Sequence, residues 1–108
     1  MATFEEFMDL DIRVGRVINV EDFPKARKPA YKLTIDFGPL GVKNSSAQIT
    51  ELYEKKDLVG KEVVCVMDFP PKQVADFVSE VLVLGVYTEN GVVLPQPDRE
   101  VPLGCKIG

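Results

Sequence analysis

The residues in this chain with chemistry to offer fall in three short stretches. The first holds Lys72, Phe77, Ser79 and Glu80, followed at once by the apolar run Val81-Leu82-Val83-Leu84. A cation, an aromatic ring, a hydroxyl and a carboxylate thus converge at the entrance to a strand. The second is Lys43-Asn44-Ser45-Ser46-Ala47-Gln48. Its hydroxyls and amides both donate and accept, so Asn44, Ser45, Ser46 and Gln48 suit the wall of a groove. The competing reading is a half-exposed strand with short side chains fitted under a neighbour. The third stretch carries Lys25, Arg27 and Lys28 between Pro24 and Pro29, the densest positive cluster in the chain. With Lys43 and Lys72 these could meet phosphates, or they form a merely solvated loop.

Recognition is the chemistry these groups offer, and catalysis is not. There is no histidine among the 108 residues, which removes imidazole-activated nucleophiles and the commonest transition-metal ligand. Cys65 and Cys105 lack paired spacing for zinc, and no phosphate-cradling loop is present. No enzyme activity, cofactor or metal is expected. Cys65 reads as a small core residue and Cys105 as a tail residue, both reduced. The formal net charge of −4 means that any attraction to phosphate must come from a local patch.

The elements that must position these groups are mostly strands. Thr3-Phe4-Glu5-Glu6 has the arrangement of a capping box, so a short helix follows, with Phe4, Phe7 and Met8 on one apolar stripe. That stripe must be buried against the rest of the chain or against a partner subunit. Ile12 to Val20 is dense in β-branched residues, but the alternation set by Ile12 and Val14 is broken by Arg16, and Gly15 beside it reads as a bulge or bend in a long first strand. Tyr31 to Phe37 alternates strictly, and Gly38-Pro39-Leu40-Gly41 turns the chain into a polar strand from Val42 to Ile49. Thr50 to Gly60 reads as a helical turn and loop, and Lys61 to Phe69 as an interior strand. Pro70-Pro71 marks a connection, and Val81 to Leu84 reads as a central strand buried on both faces. Asn90-Gly91 between apolar runs predicts a hairpin, and Pro95, Pro97 and Pro102 leave an extended tail. Five or six short strands, one bent by glycine, with a short N-terminal helix, fit a closed all-β Greek-key barrel; a sandwich is the alternative.

Two motifs carry a resemblance. Ser79-Glu80 directly before Val-Leu-Val-Leu, and Asp11-Ile12-Arg13-Val14-Gly15-Arg16-Val17 with Tyr31-Lys32-Leu33 and Asp36-Phe37-Gly38, resemble the tRNA-binding domain family. These are small OB-fold modules, attached to some aminoacyl-tRNA synthetases or found alone. The Lys43–Ile49 segment looks most like the free-standing, chaperone-like members and differs from the synthetase-attached modules. The resemblance spans residues 8 to 108. It implies a short helix over residues 1–9 serving as a dimer contact and an OB-fold domain over residues 10–108.

The same resemblance implies a homodimer meeting through Phe4, Phe7, Met8 and Ile107. Its groove would use Asn44, Ser45, Ser46, Gln48, Lys72, Phe77, Ser79 and Glu80 to hold unfolded or export-bound polypeptide. The alternative ligand is tRNA, with Lys25, Arg27, Lys28 and Lys43 on its phosphates. In this reading Phe77 supplies apolar contact, though it is equally readable as a core residue, and Ser79 as a strand-entry residue bonding its own backbone. The first residues, Met-Ala-Thr-Phe-Glu-Glu, carry no basic-then-apolar signal. No apolar segment nears the ~18 residues of a membrane span, so a cytoplasmic protein with no membrane insertion is expected.

Overall fold

A computed structural model describes residues 1–108. Helix α1 (Phe4–Asp9) begins at Thr3, whose Oγ1 accepts the Glu6 N–H while a Glu6 carboxylate oxygen accepts the Thr3 N–H, both at 3.1 Å. The capping box is therefore real, and it lets a six-residue helix start without other support. No residue of α1 is buried. No helix is long and apolar enough to cross a membrane.

Strand β1 (Ile12–Asp22) joins the two halves of the domain. It pairs antiparallel with β2 (Tyr31–Asp36), and β2 pairs with β3 (Val42–Ala47). After a short helix, α2 (Lys55–Leu58), strand β4 (Glu62–Val66) pairs with the first part of β1. Next come a hairpin of β5 (Lys72–Val74) and β6 (Phe77–Ser79), the two-residue β7 (Leu82–Val83), and a second hairpin of β8 (Val86–Thr88) and β9 (Gly91–Val93). The main sheet runs β3-β2-β1-β4-β7 and curls into a nearly closed barrel, an OB-fold. One sheet wrapped on itself leaves no place for the sandwich alternative.

The alternation in β2 buries Leu33 and Ile35, and Phe37 follows them inward. These pack with Val17, Leu58, Val63, Cys65 and Val81 in the main core. Burial there pushes the Cys65 thiol up to about 12, so it stays a neutral, apolar packing group. A smaller cluster of Ile12, Val64 and Val66 is covered by Leu10, Leu84 and Ile107. Ile107 is thus partly buried on its own barrel, and its N–H donates to the Ile12 carbonyl at 2.8 Å.

Three expectations need correction. Gly15 is not the bend: it lies in regular register opposite Val63, and the register shift falls between Val17 and Asn19. The glycine is required by close approach instead. A Cβ there would stand 2.6 Å from Ile35 Cγ2 and 2.7 Å from Phe37 Cε1. Second, Val81–Leu84 is not a central strand buried on both faces. Only Leu82 and Val83 pair, at the end of the sheet, and Leu82 is exposed because one side of that short strand faces solvent. The strand buried at every position is β4.

Third, the stretch after Pro70-Pro71 is no simple connection but the β5–β6 hairpin, turned at Ala75 with φ +52° and Asp76. An Ala-Asp turn carries none of the glycine or asparagine signal that marks tight hairpins. The later hairpin predicted from Asn90-Gly91 is present, with Glu89 and Asn90 at its turn. Gly91 pairs with Thr88 as the first residue of β9, at φ +136°. Thr88 fixes that turn, its hydroxyl donating to the Gly91 carbonyl at 2.6 Å.

Candidate binding groove

The barrel closes along a seam between β3 and residues 79–81, and side chains form most of it. Glu80 N–H donates to the Asn44 carbonyl at 2.8 Å, and the Glu80 carboxylate accepts the Asn44 N–H at 2.9 Å. Ser46 N–H donates to Ser79 Oγ at 3.1 Å. Ser45, with no exposed surface, donates its hydroxyl to the Val81 carbonyl at 2.9 Å. The polar character of β3 is explained by this arrangement. Its facing segment is too irregular to supply a backbone ladder, so hydroxyls and a carboxylate satisfy backbone groups in its place.

Against the seam lies an open groove of about 1030 Å³. One side is lined by Lys25, Arg27 and Lys28 of the β1–β2 loop and by Lys72 and Gln73 of the hairpin arm. Ser46, Gln48, Ser79 and Glu80 line it beside the seam, while Phe69, Val74, Leu82, Val83, Tyr87 and Val92 supply apolar surface. Phe69, Leu82 and Tyr87 are exposed, Tyr87 at 89%. That volume sits at the upper end of small-molecule sites, and an open trough of this size suits a segment of chain.

The structure brings together eight of the expected groove and phosphate-contact residues: Lys25, Arg27, Lys28, Ser46, Gln48, Lys72, Ser79 and Glu80. Asn44, Ser45, Lys43 and Phe77 are not among the lining residues. Asn44 and Ser45 are engaged in the seam. Phe77 packs edge-on against Phe23, ring centroids 5.5 Å apart, with Lys32 Nζ over both rings. It ties the hairpin arm to the loop rather than facing a ligand. Beside it Lys25 Nζ lies 2.9 Å from Asp76, and this ammonium holds the Asp76 carboxyl below the usual carboxylate range. Ser79 is both things the sequence allowed, a backbone-bonding residue and a groove residue.

Phe69, Leu82 and Tyr87 were not foreseen as groove residues. For Leu82 the one available signal was the shortness of the apolar run before Gly85, too brief for a strand that is covered on both faces. Among the dimer candidates, Phe4, Phe7 and Met8 form an exposed stripe on α1.

A smaller polar cleft of about 370 Å³ lies across the barrel wall at Arg16, Lys61, Glu62, Gln96, Arg99 and Glu100. Its charges answer one another. Arg16 reaches Glu62 at 3.6 Å and Glu100 at 3.5 Å. Glu62, only 6% exposed, accepts the Val101 N–H through Oε1, while its Oε2 is buried with no hydrogen bond. This is an internal ion pair that fastens the tail to β4. No cluster of three or more His, Cys, Asp or Glu side chains suitable for a metal ion occurs anywhere in the chain.

Residues 12–106 match the family model described as "Putative tRNA binding domain". The chain belongs to the tRNA-binding domain family. Two solved members of this fold superpose along their whole length. Chaperone CsaA of Bacillus anthracis is 56% identical with a TM-score of 0.94, covering 100% of this chain and 99% of that one. The CsaA chaperone protein of Picrophilus torridus is 54% identical with a TM-score of 0.95, each chain covered completely. The methionine–tRNA ligase of Thermococcus onnurineus is 36% identical over 104 residues. That match takes 96% of this chain but 14% of the ligase, so the likeness reaches one tRNA-binding-type domain of a far longer protein.

Proposed function

We propose that this chain is a non-catalytic binding module that holds extended, unfolded polypeptide, including segments bound for export, in the groove under the β5–β6 arm. The observation that carries this reading is the lining: an open trough with aliphatic floor residues and Ser, Gln and Lys groups free to meet a guest backbone. End-to-end likeness to two proteins named as CsaA chaperones supports it. A competition on one sample tests it, with labelled unfolded polypeptide titrated against tRNA at several salt concentrations. Leu82→Ser, at an exposed position, should weaken polypeptide binding by about 1–2 kcal/mol while the protein stays folded. Unchanged binding in that variant would remove the apolar floor from the site.

A second reading is tRNA held by the same face. Exposed Phe69 and Tyr87 favour it, because they offer bases the stacking surface that the sequence did not reveal, next to Lys25, Arg27, Lys28 and Lys72. If tRNA is the main ligand, it should displace polypeptide at low salt, and its affinity should fall steeply as salt rises.

The module is further proposed to act as a homodimer through α1, whose Phe4, Phe7 and Met8 are exposed together on a helix with no buried residue. Phe7→Asp should yield a folded monomer by light scattering, since an unpaired charge in an apolar contact opposes association. A monomer at micromolar concentration in the unaltered protein would refute the proposal.

A further inference from the structure

The groove's charge runs against that of the molecule. The chain carries a net charge of −4, yet four cations, Lys25, Arg27, Lys28 and Lys72, line the groove against the single carboxylate of Glu80. That carboxylate already accepts the Asn44 N–H in the seam, and Lys25 already holds Asp76 at 2.9 Å. Arg27, Lys28 and Lys72 have no ion-pair partner. All three cations come from one loop and one arm. The rest of the lining includes the aliphatic Ile49, Val74, Leu82, Val83 and Val92, which offer nothing to a charge.

We infer that the groove selects polypeptide segments in which an apolar stretch is flanked by carboxylate side chains. The inference rests on the polypeptide reading of the groove. The aliphatic lining takes the apolar stretch, and Arg27, Lys28 and Lys72 take the flanking Asp or Glu. In an acidic protein the cations confer selectivity by rejection as well as attraction. A guest with lysines at its ends meets uncompensated like charge there, and a neutral one gains nothing. Paired Lys25 contributes less than its neighbours, because an incoming carboxylate must displace Asp76.

The test uses three fluorescent peptides that share one apolar core and differ only in flanks of Glu, Gln or Lys, measured by anisotropy at low and high salt. The Glu-flanked peptide should bind about tenfold more tightly than the Lys-flanked one at low salt, and screening should narrow the gap at high salt. In a Lys28→Glu/Lys72→Glu protein, shown to be folded by circular dichroism, the order should reverse. Equal binding of all three, or tighter binding of the Lys-flanked peptide, overturns the inference and leaves the polypeptide reading standing. A Glu-rich peptide without the apolar core that binds as tightly as the full peptide also overturns it, since the site would then recognise any anion. Failure of every peptide, with tRNA still bound, removes both this inference and the polypeptide reading.

Discussion

Arg16→Met should destabilise the protein by about 3 kcal/mol, more than any exchange at an exposed ion pair. The reason lies in Glu62, 6% exposed on β4, with one carboxylate oxygen that has no hydrogen bond and only the Arg16 guanidinium, 3.6 Å away, to balance its charge. Without Arg16 that carboxylate is buried and uncompensated, and the Gly60 carbonyl that accepts from Arg16 at 2.9 Å also loses its donor. For a domain of this size the loss corresponds to a fall in Tm of roughly 12 °C or more. Adding Glu62→Gln to Arg16→Met should recover most of it, because the amide keeps an acceptor for Val101 and removes the charge. Thermal denaturation of the two variants decides the matter. A loss under about 1 kcal/mol in Arg16→Met would place the pair among ordinary surface contacts.

Gly15→Val should be comparably severe for a different reason. The new Cβ would be within 2.8 Å of Ile35 Cγ2 and of two Phe37 ring atoms, and Ile35 and Phe37 have no exposed surface into which to move. The backbone would have to shift, opening β1 from β4 where Gly15 faces Val63. Overpacking of this kind costs about 1–3 kcal/mol for a few added methylenes, and a β-branched side chain against two immobile partners falls at the top of that range. Denaturant unfolding would show it, and pairing the change with Phe37→Leu should restore part of the loss by making room. Full stability in Gly15→Val would mean the barrel wall yields far more easily than its packing implies.

These two residues also measure what could be read beforehand. Gly15 stood out in the sequence because it broke the β pattern, and the architecture built around it is correct: a long first strand serving both halves of an OB-fold. Its cause was misassigned, since a glycine needed for a bend and one needed for close packing look alike until its partners are known. Arg16 was visible only as a break in alternation, because its partner Glu62 lies 46 positions away and burial of a carboxylate has no local signature. In the groove, the cations of the β1–β2 loop were legible from their density between two prolines. Phe77 packs on Phe23 instead of lining the groove, a contact hidden in the sequence because nothing in an Ala-Asp pair announces the turn that brings it there. Leu82 was hidden for the converse reason, as a two-residue strand looks in sequence like part of a buried one.

The seam between β3 and residues 79–81 also closes an edge of the sheet to strand pairing. An edge strand such as β3 ordinarily presents free N–H groups that recruit any extended chain nearby, which is how sheets aggregate. Here the Asn44 and Ser46 amides are already occupied by Glu80 and Ser79 of the same molecule. The protein thus offers an extended chain no template along this edge. On the polypeptide reading proposed above, a guest in the groove would leave again without having been woven into its host's own sheet.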